Sequence, residues 1–378
     1  MPLPTTMKAL ILHKDSSITL DTSYPVPVPI EGSVVVRIIV THANPNFVKL
    51  LRGDPSAHLF TQPRPLVPGG YCLARIAAVG PDTTVLKEGQ LVTVDNFVRA
   101  RDDPTVQILR SMHDGQTSES KKLHLVWRDG TYAEYYRAPL ENVYALDEKR
   151  LCGPVSEGGF GYSVNDLAQL MPTTVPFGGL KSINVQAGET VIVSPATGLF
   201  SGSAISVALA MGADVIAVSR NADGLAKVKS MFPSVSVVQM TGDTEADTAS
   251  ITAAAGSHPP DAFIDLSPPE ATGSSGVTAC MMAVKPYGRV VLMGGRGDAN
   301  IPIPWGVALY RNLTIKGGFM YERDDVRHVI RLLETGRIKL GRENGYEIAG
   351  TYGLEEWDKA ADAAVEHTRF GSVVLLRP

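Results

Sequence analysis

The sequence predicts an α/β protein in two parts, a β-rich N-terminal domain joined to a doubly wound parallel sheet. Three observations carry this. Up to about residue 150 the chain is a series of short strands separated by Gly- and Pro-containing turns. From about residue 155 strands alternate with helices, the pattern of a sheet covered on both faces. Within that second part, Thr190–Arg220 reads strand, turn, helix, strand.

In the first part, Lys8–His13 and Ser33–Val40 are expected strands, with the proline-laced Tyr24–Pro29 as a connector. Asn44–Gly53 reads as a short helical segment. Leu73–Val79 and Gln90–Val94 are further strands, each preceded by turn residues. Many short strands of this kind suggest a small barrel or sandwich. Asp95–Asp129 is polar and irregular, with Gln116–Lys122 its least ordered part. A long loop in a compact domain is usually functional or mobile. Gly130–Tyr136 returns to strand.

In the second part, strands are expected at 191–194, 215–219, 235–238, 261–265, 289–293 and 313–317. Helices fall at about 163–170, 202–211, 223–231, 244–255 and 270–284. Two amphipathic helices follow, Asp324–Thr335 and Trp357–Glu366, and Ser372–Arg377 is a last strand. Six parallel strands leave no place for that tail, which is expected to return to the first domain.

Composition narrows the function. The chain has 378 residues, room for about two domains. Its hydrophobic content of 44% and charged content of 20% are those of a soluble enzyme. A net charge of −4 offers no basic surface for nucleic acid. No apolar run approaches the roughly 20 residues that span a bilayer. The start, MPLPTTMKALIL, lacks a signal-peptide pattern. Cys72, Cys152 and Cys280 are too few and too scattered for a disulfide framework, which points to a reducing, cytoplasmic setting.

The segment 190–220 is a candidate dinucleotide site. Val191–Val193 is a β-branched strand, and Pro195 and Gly198 break it. Gly202–Met211 carries no charge, so this helix is expected to be buried, and Val215–Val218 is the next strand. A tight turn of small residues brings backbone N–H groups and a helix N-terminus to a pyrophosphate. The fingerprint is degenerate. In its best register Ala196, Gly198 and Ser201 stand where three glycines are usual, and Gly202 comes one step late. The site is expected to include Pro195, Ala196, Thr197, Gly198, Leu199, Phe200 and Ser201. A plain βαβ unit without a ligand is the alternative.

At the end of the second strand an acid would favour NAD. This chain has Ser219, Arg220 and Asn221 there, and Asp214 lies at the strand's other end. Arg220 can pair in forked fashion with a 2′-phosphate, and Lys227 in the following helix can assist. NADP(H) is therefore expected. An arginine simply solvated at a strand end is the alternative.

Further stretches line up around this unit. GSVVVRI (32–38) is followed by Asn44, Pro45, Arg52 and Gly53. VPGGY (67–71) is followed by AVG (78–80) and GQLV (89–92). GTYAEY (130–135) is followed later by GRVVLMG (288–294). In this order they resemble the medium-chain dehydrogenase/reductase superfamily, over nearly the whole chain. The likeness is to its zinc-independent quinone oxidoreductase and enoyl reductase branches. The turn SPATG (194–198) is similar to reductases found beside fungal secondary-metabolite pathways. The resemblance implies a GroES-like barrel built from 1–155 and 322–378, with a Rossmann domain, 156–321, inserted. The nicotinamide would lie in the cleft between them.

Zinc-dependent members of that superfamily bind catalytic zinc through a cysteine, a Gly-His-Glu segment and a later cysteine or acid. Here the matching positions hold Asn44, then Gly69, Gly70 and Tyr71, and later Met171 and Pro172. The four cysteines of a structural zinc are missing from 95–130. No metal is expected. His42 is read as a hydrogen-bonded structural residue.

Without zinc, a hydrogen-bond donor or cation must polarise the acceptor. Lys49 stands five residues after Asn44, the spacing at which some polyketide enoyl reductases carry an active-site lysine. The alternative is a solvated lysine beside Arg52. Tyr71 is expected to point into the cleft, as a donor to a carbonyl or as packing. Asn44 and Asn46 are expected to orient ribose or substrate. Thr173 and Thr174 fall where relatives place residues near the nicotinamide carboxamide. Ser267 is assigned to the cofactor surface. Gly294 and Gly295 are expected to pass under the nicotinamide, where a Cβ would clash.

Phe47, Phe60, Phe97, Trp127 and Tyr321 are candidate cleft aromatics, which would suit a sizeable apolar carbonyl compound. The expected activity is NADPH-dependent reduction of an activated C=C or C=O bond. The alternatives are an elimination or cyclisation that retains the cofactor, and a non-catalytic NADPH-binding protein. The strand Leu313–Gly318 is a candidate homodimer edge.

Overall fold

The computed structural model describes residues 2–54, 62–115, 117–268, 271, 274–295 and 300–378. Alternating burial makes Thr6–Leu12 (β1) and Ile18–Pro25 (β2) an antiparallel hairpin. β2 was hidden by its flanking prolines, which end the strand but do not occupy its middle. Ser33–His42 (β3) is almost wholly buried, as its run of valines and isoleucines requires. Asn44 then caps Pro45–Leu51 (α1), with proline at the first helical position. Cys72–Val79 (β4) and Leu91–Val94 (β5) pair in turn beyond β3.

The polar 95–129 stretch is more ordered than its composition suggests. Phe97–Arg99 (β6) and Gln107–Leu109 (β7) form a hairpin, and Ser118–Trp127 (α2) is a helix. The expectation of disorder at 116–122 therefore fails for 118–122; residue 116 lies outside the described residues. Thr117 and Ser120 form a reciprocal capping box that starts the helix where the polar run looked structureless. Tyr135–Pro139 (β8) pairs with β3, and Val143–Ala145 (β9) with β5.

Glu148–Cys152 (α3) leads to the second part. The helix expected at 163–170 is displaced. Short 3-10 turns occupy Asp166–Gln169 and Met171–Thr173, and the α-helix is Thr174–Ser182 (α4). Its Pro176, Gly178 and Gly179 read as breakers. A Cβ on Gly178 would meet the backbone of Met320, so this glycine allows close helix packing.

The alternation then runs Thr190–Ser194 (β10), Leu199–Ala210 (α5), Asp214–Ser219 (β11) and Ala222–Met231 (α6). It continues through Ser236–Gln239 (β12), Thr244–Ala255 (α7), Ala262–Asp265 (β13) and Ser275–Ala283 (α8). Arg289–Leu292 (β14), Trp305–Tyr310 (α9) and Thr314–Gly317 (β15) complete it. All six strands are parallel, in the order β12-β11-β10-β13-β14-β15, with β15 at one edge. Near that edge α9 exposes Trp305, Leu309 and Tyr310.

Arg323–Glu334 (α10) packs on α4, where Lys181 bonds the buried Asp325 at 2.5 Å. Glu347–Gly353 (β16), Trp357–Glu366 (α11) and Ser372–Arg377 (β17) close the chain. β17 lies between β16 and β3 in the N-terminal sheet, and α11 covers α1. β16 went unread because Gly350 and Gly353 break its pattern. The fold is thus a GroES-like domain joined to a Rossmann-type parallel sheet. No helix among the described residues is long and apolar enough to cross a membrane.

Candidate active site

The turn after β10 is built largely from its own polar groups. Ala196 N donates to Val218 O at 2.8 Å, and the Thr197 and Ser219 hydroxyls meet at 3.0 Å. Gly198 caps α5 in extended conformation and supplies no side chain to the first-turn N–H groups. Ser201 Oγ accepts from Gly198 N at 3.1 Å. Three of the expected cofactor contacts, Ala196, Leu199 and Ser201, are therefore buried structural parts of the turn. Pro195, Thr197, Gly198 and Phe200 are its half-exposed face. A 12-residue helix with an uncapped first turn suits a pyrophosphate.

Gly202 has a different reason. A Cβ there would fall within the ring of Phe370, which packs against Phe232 and Tyr346. Phe370 N donates to Thr197 O at 2.9 Å, and Arg369 bridges to Gly198. The C-terminal loop is thus a wall of the nucleotide turn that the sequence reading missed.

At the end of β11, Arg220 is exposed beside the turn. Asn221 is largely consumed as the cap of α6, its Oδ1 accepting from Gly224 N at 2.9 Å. Lys227 reaches toward the Gly371 segment of the C-terminal loop. On the other side, a Cβ on Gly294 would strike the Ser267 backbone, so this glycine is required by the protein itself. Gly295 has φ +99 and donates its N–H to Ser267 O at 2.7 Å. Ser267 Oγ donates to Asp265 Oδ1 at 2.6 Å, while Asp265 Oδ2 is buried without a partner among the described residues. Burial raises the Asp265 carboxyl above its ordinary value. An acid ending the apolar strand Ala262–Asp265 was the available signal for it.

Thr173 and Thr174 are buried and bond the carbonyls of Leu170 and Met171. Thr174 also shares a hydrogen bond with Tyr321, whose hydroxyl donates to Asp95 Oδ1 at 2.5 Å. Tyr321 is therefore a buried tie between the two halves of the chain, not a cleft aromatic. Phe47 and Phe97 are likewise core residues, packed on Tyr132 and on Tyr321. Trp127 lines a separate cavity of about 300 Å³ with Tyr24, Val67 and Tyr135. Phe60 lies outside the described residues.

Tyr71, Asn44 and His42 come together where β3 ends and β4 begins. Asn44 Oδ1 accepts from Asn46 N at 2.9 Å and Phe47 N at 3.3 Å, and Asn44 also bonds Tyr71. Asn46 itself is exposed. Tyr71 Oη is 3.3 Å from His42 Nδ1. Burial raises the phenol above its ordinary value, which keeps its proton in place. Lys49 is half-buried in the last turn of α1, between core residues Val48 and Leu50.

The residues at the expected metal position do not fit zinc. The Asn44 oxygen is committed to backbone N–H groups, and Met171 forms part of the wall. The nearby Cys72 thiol is buried, which pushes it up to about 12. No group of three or more His, Cys, Asp or Glu side chains that could hold a metal ion occurs among the described residues.

Comparison with known proteins identifies the two domains. Residues 30–148 match the alcohol dehydrogenase GroES-like domain, and residues 201–335 match the zinc-binding dehydrogenase family. The chain belongs to the medium-chain dehydrogenase/reductase superfamily. Among superfamily relatives, an alcohol dehydrogenase of Moraxella sp. (strain TAE123) is 23% identical over 346 residues, 88% of this chain and 90% of the relative. A short chain alcohol dehydrogenase from E. coli CFT073, complexed with NADH, superposes with a TM-score of 0.76 at 18% identity, covering 99% and 100% of the two chains. Crotonyl-CoA carboxylase/reductase AntE, in complex with NADP, gives 0.75 at 15% identity, covering 100% and 95%.

Buried histidines make a pH prediction. Burial lowers His42 and His113 to about 4, and lowers His124 as well. Unfolding returns them toward about 6.5, so between these values the unfolded chain binds more protons. The stability they contribute is present above about 6.5 and is lost as pH falls toward 4. From pH 7 to 5 the expected loss is about 2 kcal/mol for each of His42 and His113. Urea midpoints across that range measure it, and a flat profile would contradict it.

Proposed function

We propose that this chain is a nicotinamide-dependent oxidoreductase that uses NADPH, without zinc, to reduce an activated C=C or C=O bond of a sizeable apolar carbonyl compound. The observation that carries the reading is the uncapped start of α5 with the exposed Arg220 beside it. Pro195, Thr197, Gly198 and Phe200 would hold the pyrophosphate. Arg220 would take the 2′-phosphate, and Thr174, Ser267, Gly294 and Gly295 would border the nicotinamide end. When bound, the nicotinamide supplies hydride.

The chain's own residues supply the rest. Tyr71 keeps its proton and is held by Asn44 and His42, so it can donate to a developing negative charge. Lys49 is a second candidate donor. The relatives named above include proteins complexed with NADH and with NADP, which makes the choice of nucleotide this chain's own property.

Fluorescence titration with NADPH and NADH tests it. Arg220→Ala is expected to weaken NADPH about 30-fold, the value of one charge-assisted pair at about 2 kcal/mol, and to leave NADH unchanged. Equal affinities that Arg220→Ala does not alter would remove the 2′-phosphate role.

A further inference from the structure

His42 ends β3, and its carbonyl accepts from Tyr132 Oη at 3.0 Å. Its ring stacks on Tyr71 with centroids 5.5 Å apart. A structural role accounts for the carbonyl but not for the imidazole. With Asn44 Oδ1 committed to two backbone N–H groups, its amide N–H is what reaches Tyr71. The Tyr71 oxygen receives that bond, so its own proton points to His42 Nδ1. A neutral imidazole that accepts at Nδ1 carries its proton on Nε2. Nε2 is buried without a partner among the described residues. His42 also lines a cavity of about 10 Å³ with Thr41, Tyr71, Cys72 and Thr93. That is room for about one water beside the imidazole, the rest of the lining being Val40, Leu73, Leu167, Ala168 and Met171.

We propose that Tyr71 and His42 form a proton wire between the substrate and a water held at Nε2. This deepens the reductase reading and rests on it. As the substrate gains its proton, the Tyr71 O–H bond breaks. This stroke starts from the Nδ1–H tautomer, to which solvent returns the ring from its resting Nε2–H form: the phenolate takes the proton from Nδ1, and Nε2 takes one from the water. The net proton comes from solvent, no electrons move within the wire, and the imidazole ends as the Nε2–H tautomer. Run backward, the same wire drains a proton from a substrate hydroxyl. Tyr71 is the catalytic residue here and His42 acts through it.

Two measurements decide it. In uniformly ¹⁵N-labelled protein without substrate, ring ¹H–¹⁵N correlations should show His42 neutral with its proton on Nε2 between pH 6 and 8. The signals are assigned by their loss in His42→Asn, and they should move in Tyr71→Phe. An Nδ1–H tautomer, or a ring indifferent to Tyr71→Phe, overturns the pair. In stopped-flow NADPH oxidation with 2-cyclohexen-1-one as probe, His42→Asn should slow turnover at least about tenfold with NADPH affinity kept. His42→Phe, which keeps a ring against Tyr71 but has no ring nitrogen, should slow turnover likewise. Unchanged rates in both variants overturn the wire. A native chain that binds NADPH yet consumes none with the probe counts against the reductase reading, and the ring spectra then still decide the pair.

Discussion

Replacing Arg110 with alanine is expected to lower the unfolding free energy by about 3–5 kcal/mol, the usual cost of breaking a buried charge network. Arg110 is wholly buried. Its guanidinium donates to Gly70 O at 2.6 Å, to Asp95 O at 3.4 Å and to the Tyr136 hydroxyl, and it stacks over the Tyr136 ring at 4.0 Å. Asp95, also buried, lies within its electrostatic reach. Alanine would remove the cation, leave the Asp95 carboxyl without it and open a cavity. Lysine should rescue little, because a single ammonium cannot reproduce a planar fork. Urea unfolding at pH 7 measures the loss; a change under about 1 kcal/mol would show that water replaces the fork. Because Gly70 precedes Tyr71, the variant should also loosen the phenol.

Gly202→Ala is the second large effect. In an exposed helix this change would gain up to about 1 kcal/mol. Here the new Cβ would enter the Phe370 ring, and overpacking of a tight core costs about 1–3 kcal/mol, occasionally more. The clash should win. It should also push the 369–371 loop off Thr197 and Gly198 and weaken NADPH binding. The double variant with Phe370→Ala isolates the cause. The two changes should be non-additive by at least about 1 kcal/mol, as expected for side chains in contact. Strict additivity would mean that the helix and the loop do not press on each other.

The sequence made the parallel sheet legible because its strands are unbroken β-branched runs flanked by turn residues. β10 and β11 are clear examples. It concealed α4 because proline and glycine ordinarily disfavour helix interiors, whereas here Gly178 allows close packing against Met320 and Tyr321. It concealed α2 because a capping box outweighs a polar composition. In the site, Asn44 and Tyr71 could be found by position in the chain. His42 could not be given its second part, since a hydrogen bond between strand ends depends on register. Arg369 and Phe370 were invisible for the same reason: about 170 residues separate them from the turn they wall.

The place of β17 has a consequence for synthesis. β3 emerges from the ribosome early, yet one of its neighbours is the last strand of the chain. At about 5–20 residues per second, on the order of tens of seconds pass before that neighbour exists. During that interval the Thr41–His42 end of β3 lacks its partner, because β8 pairs only with Ser33–Arg37 of that strand. The nucleotide turn waits equally long for its Phe370 wall. The N-terminal sheet and the nucleotide turn therefore acquire their final shape only once residues 369–377 have been made.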